Sequence, residues 1–349
     1  MTKTVSIEGR RVGHGEPVFI IAEAGVNHNG QLELARELVD AACETGVDAV
    51  KFQTFKTEHL VTRKAGMAEY QKKQMKEIDS QFQLIKSLEL EYDMFVELKQ
   101  YCDEKGILFL STPHSPDAAV FLDSLLPAYK VGSGDLTNLP FLRQVADFGK
   151  PILLSTGMAT LDEVTDAVHA ISDAGNQELV LLHCVTNYPA DIRTVNLKAM
   201  NTLRNAFDLP VGFSDHTMGL AAVIAAVSLG ACVIEKHFTL SRELPGPDHK
   251  ASLEPRELQE MVDAIRDVEM ALGDGVKKPT TAELDLKDVA RKSIVSVVRI
   301  EKGTILTEEM IAVKRPGYGI PPKHWSEVIG RRAKKEIGED EVLEWSSIE

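Results

Sequence analysis

Long apolar runs are missing from this 349-residue chain. No stretch approaches the roughly 20 residues of a membrane span, and the opening MTKTVSIEGRRVGHGEP lacks the apolar core of a secretory leader. Cysteine is scarce. The four cysteines, Cys43, Cys102, Cys184 and Cys232, stand far apart, mostly in apolar runs, and form no CxxC pair. They read as reduced core residues of a cytoplasmic protein. Neither G-x-G-x-x-G nor G-x-x-x-x-G-K-[ST] occurs, which weakens dinucleotide and P-loop readings. Positive charge is also in deficit: 39 Lys and Arg against 53 Asp and Glu leave a net −14. That balance opposes nucleic acid and anionic membranes as partners. An anionic substrate would need cations gathered locally against the overall field.

What is present is ordinary globular composition, 44% hydrophobic and 26% charged. From about residue 16 to 275, short apolar runs alternate with amphipathic stretches. The candidate strands are VFIIAEAG, DAVKFQT, ILFLSTP, AYKVGSG, PILLSTG, LVLLHCV, PVGFSDH and CVIEKHF. They are rich in Val, Ile and Leu with little alternation, as for strands buried on both faces. Helix signals lie between them. Leu34, Leu38, Ala41 and Ala42 recur at helical spacing before Gly46, Thr160 and Glu163 form a capping box, and Pro255 opens a helix that Gly273 ends. Eight βα units in this span predict a (β/α)8 TIM barrel over residues 1–275. Residues 55–90 are too long for an ordinary βα loop and read as a lid or a solvated decoration. Residues 276–290 read as a polar linker, and 291–349 as a small second domain with a thin core that gains by docking or oligomerising.

Barrel chemistry gathers at strand C-terminal ends. Those ends carry Glu23, Lys51, Gln53, Ser111, Thr112, Lys130, Ser133, Asp135, Ser155, His183, Tyr188, Ser214, His216, Glu235 and His237. Burying so many polar groups unpaired is costly, so a ligand or metal is implied. Lys51 and Lys130 with the hydroxyls of Thr112, Ser133, Ser155 and Ser214 suit phosphate and carboxylate oxygens. A strand lysine can instead pair with an acid, or form a Schiff base with a carbonyl substrate. A lone strand-end histidine is more often a satisfied polar residue than a ligand. The pair His216 and His237, with acids nearby, suits an exchangeable divalent ion such as Mn²⁺ or Mg²⁺. Glu23 and Asp135 are candidate acid–base carboxylates. Spacing alone stops at metal-assisted chemistry on a phosphorylated small molecule.

The motifs IIAEAGVNHNG, AVKFQTFK, STPHS, YKVGSGD, ILLSTGMAT, GFSDHTMG, IEKHFTL, PGPDHKASLEP and KRPGYGI occur in that order along the whole chain. Together they resemble the sialic acid synthase family, the nonulosonate synthases. The C-terminal unit resembles the antifreeze-like (SAF) domain. The resemblance implies condensation of phosphoenolpyruvate with an N-acetylated mannosamine, in a cytoplasmic homodimer whose C-terminal domains cover each other's barrel mouths. It implies a divalent ion on His216 and His237, Mn²⁺ first and Mg²⁺ or Co²⁺ as alternatives. Lys51, Thr112, Lys130, Ser133, Ser155 and Ser214 then fall at positions that bind phosphoenolpyruvate, and Gln53 joins them as a substrate-binding candidate. Glu23 falls near the metal and the attacking water. Tyr188, Asp248 and the partner's Arg315 fall around the amino sugar. Two positions depart: Asp135 stands where many bacterial members have Glu, and Thr186 where some have Asn. The leading expectation is N-acetylneuraminate synthase. Legionaminate synthase, acting on a 2,4-diacetamido-2,4,6-trideoxymannose, stays open. So do a lysine Schiff-base aldolase and a non-enzymatic carbohydrate-binding protein.

Overall fold

The structure, a computed structural model, describes residues 3–66 and 80–349. The chain divides into two compact units, 1–273 and 274–349.

The first unit is a parallel barrel. Its strands are β3 (Phe19–Gly25), β4 (Ala49–Thr54), β5 (Leu108–Pro113), β6 (Tyr129–Val131), β7 (Ile152–Ser155), β8 (Leu179–Cys184), β9 (Val211–Asp215) and β10 (Val233–His237). They follow one another in the order β5-β4-β3-β10-β9-β8-β7-β6, all parallel, with β5 and β6 side by side at the seam. All eight expected strands are present, and the barrel is nearly closed. Gly212 allows one close approach, since a Cβ there would lie 2.6 Å from Val233 O on β10.

Period-two alternation sorts the barrel's residues into two cores. Outward residues such as Ile20, Val50, Phe109, Leu154, Leu181 and Ile234 pack beneath the helices. Inward residues Phe19, Ile21, Ala49, Leu110, Ala128, Leu153, Val180, Leu182 and Val233 fill the interior near the strand starts. The expected helix signals act as read: Thr160 and Glu163 cap Leu161–Asp173, and Pro255 opens Pro255–Leu272. One feature is new. A hairpin of β1 (Thr4–Ile7) and β2 (Arg10–Gly13) sends Val5, Ile7 and Val12 into the interior core. Its two-residue turn puts Glu8 at φ 48° and Gly9 at φ 79°, the primed turn favoured between twisted strands.

Part of the long β4–β5 connection, residues 67–79, lies outside the described residues. The described parts carry two short helices, Thr57–Leu60 and Gln81–Ser87, and a small core of Val26, Phe55, Leu84 and Leu88. Glu89 ties them together. It accepts from the Thr57 amide (2.9 Å) and hydroxyl (2.8 Å) and pairs with Lys56 and Lys86.

In the second unit, β11 (Ser293–Ser296) pairs antiparallel with β12 (Ile311–Lys314) over a core that includes Ile294, Ile300, Leu306, Ile311, Ile337 and Leu343. The stretch 276–290, read as linker, contains a ten-residue helix, Thr281–Ala290. Thr280 and Glu283 form its capping box, a T-x-x-E signal outweighed in the reading by the polar composition. Among the described residues, no helix is long and apolar enough to cross a membrane.

Candidate active site

The inward positions change character toward the strand C-terminal ends. Where the lower layers carry Ile21, Ala49, Leu153 and Val233, the next inward positions are Glu23, Lys51, Ser155 and Glu235. With Gln53, Thr112, Lys130, Ser133, Ser214, His216 and His237 they line a cavity of about 180 Å³. One alternation builds both the apolar base and the polar chamber above it.

Four charges occupy that chamber. Lys51 Nζ is 2.6 Å from Glu23 Oε2 and 3.8 Å from Glu235 Oε2, while Lys130 Nζ is 3.7 Å from Glu235 Oε1. Hydroxyls complete the set: Thr112 accepts from Lys51 (2.9 Å), Ser155 accepts from Lys130 (2.7 Å), and Ser214 donates to Glu235 (2.7 Å). Gln53 donates to Glu23 across 3.0 Å, and Ser133 Oγ accepts the Gly157 amide across 3.0 Å. Burial pushes Glu23 up; Lys51 takes part of that rise back, and repulsion from Glu235 adds to it. Burial acts on Glu235 in the same direction, but Lys130 and Lys51 outweigh it and hold this carboxyl at about 2. Burial also lowers Lys130, whereas Lys51, equally buried, is carried upward by Glu23 and Glu235. Two carboxylates in one site therefore separate, with Glu23 the more readily protonated.

His216 and His237 converge at the rim, with ring centroids 5.3 Å apart, and Tyr188 lies against both, at 4.2 Å and 5.6 Å. His216 Nδ1 contacts Val185 O at 2.9 Å; as the donor it leaves the Nε2 lone pair for a ligand. His237 Nδ1 is buried without a hydrogen-bond partner. Burial holds His237 well below its ordinary range, so the imidazole is neutral as a metal ligand must be. Among the described residues, no group of three or more His, Cys, Asp or Glu forms a cation cage. The His216–His237 pair in this polar chamber fits an exchangeable divalent ion whose other positions go to water and substrate, rather than a structural site.

Of the expected site residues, the cavity brings together Glu23, Lys51, Gln53, Thr112, Lys130, Ser133, Ser155, Tyr188, Ser214, His216 and His237. Three stand outside its lining. Asp135 sits in the turn Ser133–Asp135, where its carboxylate accepts from Asn138 (3.2 Å). Asp248 is buried and pushed up to about 6 by that burial, with His216 near enough to pull it back in part. Arg315 is exposed and belongs to the second unit. The structure adds residues that the sequence reading left without a role, among them Glu235, His114, Cys184 and Thr186. Burial and the two lysines hold His114 at about 4. Cys184 Sγ is 3.6 Å from His216 Nδ1. Counting inward positions by twos from the apolar layer would have found Glu235 and Cys184; His114 lies beyond its strand, where that count fails.

Residues 38–277 match the model of the NeuB family and residues 291–349 that of the SAF domain. The chain belongs to the NeuB family. It is 46% identical to the N,N'-diacetyllegionaminic acid synthase of Campylobacter jejuni, over 93% of this chain and 98% of that protein. It is 38% identical to the human N-acetylneuraminate-9-phosphate synthase, over 96% and 94% of the two chains. The crystal structure of the sialic acid synthetase of Leptospira borgpetersenii covers 82% of this chain and 95% of its own, with TM-score 0.74 and 34% identity. As a NeuB-family member with a SAF domain, this chain is an enzyme of the nonulosonate synthase class, and the strand-end chamber is its candidate active site.

Proposed function

We propose that this chain condenses phosphoenolpyruvate with an N-acetylated mannosamine-type aldehyde and water, releasing a nine-carbon 2-keto sugar acid and phosphate. One observation carries the reading: two lysines, 2% and 3% exposed, share a single cavity with four hydroxyls in a protein of net charge −14. Such a focus suits a compact, multiply charged anion. Lys51 and Lys130 supply point charge, and Thr112, Ser133, Ser155 and Ser214 supply directed donors. Glu235, ionised and held by Ser214, keeps both ammonium groups in place. As C3 of phosphoenolpyruvate attacks the aldehyde, positive charge develops at C2 beside these carboxylates. Water adds there and Glu23 takes its proton, the new alkoxide at the former aldehyde carbon takes up a proton, and the C2 hydroxyl loses its own to become the ketone as phosphate leaves with C–O cleavage. A divalent ion held by His216 and His237, Mn²⁺ first, would polarise the aldehyde as a Lewis acid. Asp248 and Tyr188, with Arg315 from a second subunit, would surround the sugar.

Two acceptors divide the reading. N-acetylmannosamine would make the chain an N-acetylneuraminate synthase, and the 2,4-diacetamido-trideoxy sugar a legionaminate synthase. The higher identity to the Campylobacter enzyme, 46% against 38% for the human one, supports the second. Phosphate release should be measured with phosphoenolpyruvate, Mn²⁺ and each sugar in turn. The expected result is metal-dependent release, with the better sugar naming the product. Release that persists after thorough chelation, or none with either sugar, would sink the reading. Borohydride trapping of pyruvate on a lysine would put a Schiff-base aldolase in its place.

A further inference from the structure

Lys236 and Asp215 are buried ions that the proposed chemistry does not use. Both side chains are essentially inaccessible, at 1% and 0% exposure. Neither lines the cavity. The alternation that turns Glu235 and His237 inward turns Lys236 outward, beneath the helices, and the same holds for Asp215 between Ser214 and His216. The two residues are register partners at the end of the β9–β10 ladder.

Their bonds converge on one place. Lys236 Nζ reaches Asp215 Oδ2 and Thr217 O, each at 2.5 Å. Asp215 Oδ1 accepts the Thr217 amide (2.9 Å), and Asp215 Oδ2 accepts the Thr217 hydroxyl (3.1 Å). The residues on both sides of His216 are thereby fixed to the residue before His237. The histidine carbonyls are held as well, His216 O by the Ala190 amide (2.8 Å) and His237 O by the Leu253 amide (2.9 Å).

A buried ion pair is a poor device for stability, since an apolar pair of similar volume often does as well. What this one does is geometric. It continues the cross-strand link past the last ladder pair, where the two strands would otherwise be free to splay and their imidazoles with them. We infer that Lys236 and Asp215 are positioning residues that set the separation of His216 and His237, and hence their affinity for a divalent ion. This rests on the metal reading above. Groups that orient metal ligands typically change affinity 10–100-fold when removed.

The test is Mn²⁺ binding to the full chain, followed by the electron paramagnetic resonance of free ion, without substrates or turnover. Four proteins are compared: wild type, His237→Ala, the double variant Lys236→Met/Asp215→Asn, and Lys236→Arg. The double variant removes both charges together, so neither is left buried and alone. Its metal-free melting should remain cooperative. Wild type should bind Mn²⁺ and His237→Ala should not, while the double variant binds at least about 10-fold more weakly. Lys236→Arg, which keeps the charge but moves the donors, should fall between. Wild-type affinity in a folded double variant overturns the positioning role and leaves the metal reading intact. If the double variant does not fold, wild-type affinity in Lys236→Arg overturns it instead. Absence of Mn²⁺ binding by the wild type overturns the metal reading, and the inference with it.

Discussion

Asn27 Nδ2 donates to Phe238 O across 2.8 Å, joining the loop after the first barrel strand to the loop after the last. The same amide reaches Ser252 Oγ at 3.0 Å, and Ser252 in turn donates to Asp248 O at 2.7 Å. Two residues on, Asn29 Oδ1 lies 3.2 Å from His249 Nε2, whose Nδ1 lies 2.6 Å from Thr239 Oγ1. The NHNG motif therefore braces the loop that carries Asp248.

Asn27→Ala leaves the Phe238 carbonyl and the Ser252 hydroxyl buried without their donor, a loss of about 1–3 kcal/mol. Thermal melting should show it. With Asp248 assigned to the sugar, KM for the amino sugar should rise more than KM for phosphoenolpyruvate. Equal changes in both would detach the motif from the sugar side.

Gly157 tests the anion side. A Cβ there would lie 2.2 Å from Thr186 Oγ1, 2.7 Å from Ser133 Oγ and 3.2 Å from Cys184 Sγ. All three neighbours are side-chain tips that can swing, so Gly157→Ala should fold and rearrange the cradle instead. Misplacement by about 1 Å can cost on the order of 100-fold in rate. Steady-state kinetics should show kcat/KM for phosphoenolpyruvate falling toward that extent, with the melting temperature nearly unchanged. Wild-type kinetics would remove Ser133 from the binding site.

Glu89 makes the β4–β5 connection acid-sensitive. Burial tends to raise its carboxyl, but the Thr57 amide and hydroxyl, with Lys56 and Lys86, hold it at about 2 against an ordinary 4.5. A depressed carboxyl stabilises the folded form fully above its unfolded value and loses that contribution as pH falls through the interval from 4.5 to 2. Hydrogen exchange of the Thr57–Leu60 amides, corrected for intrinsic rates, should show protection lost over that window. In Glu89→Gln, protection should be low at neutral pH and vary little with acid. A wild-type-like acid profile in that variant would assign the loss to another group.

Arg315 is expected to serve a second subunit. His216→Ala and Arg315→Ala should each be nearly inactive alone. Co-refolded in equal amounts, they should recover roughly a quarter of wild-type activity, because random pairing gives one intact site in half of the dimers. No recovery would mean that Arg315 does not act across subunits.

The barrel was legible because its strands are continuous apolar runs, a pattern that burial on both faces imposes. The chamber was legible because polar residues interrupt those runs only at their ends. Eleven of the fourteen expected site residues line the cavity on that logic. The residues left without a role show where it stops. Glu235 was visible as a strand-end acid, but its role depends on cross-barrel distances to Lys51 and Lys130, which no local pattern encodes. The β1–β2 hairpin offered two short runs around a Glu-Gly turn, too brief to stand out beside eight stronger strands. Lys236 reads as an exception within an apolar strand until its register partner Asp215 is known.

That hairpin has a bearing on traffic. With Val5, Ile7 and Val12 packed into the interior apolar core, the strand-start end of the barrel is filled, and the polar chamber lies toward the strand ends. In the proposed reaction, departing phosphate would then leave by the strand-end side through which the next phosphoenolpyruvate enters. Phosphate lingering there would compete with that phosphoenolpyruvate, so its clearance would bear on turnover as directly as the chemistry inside.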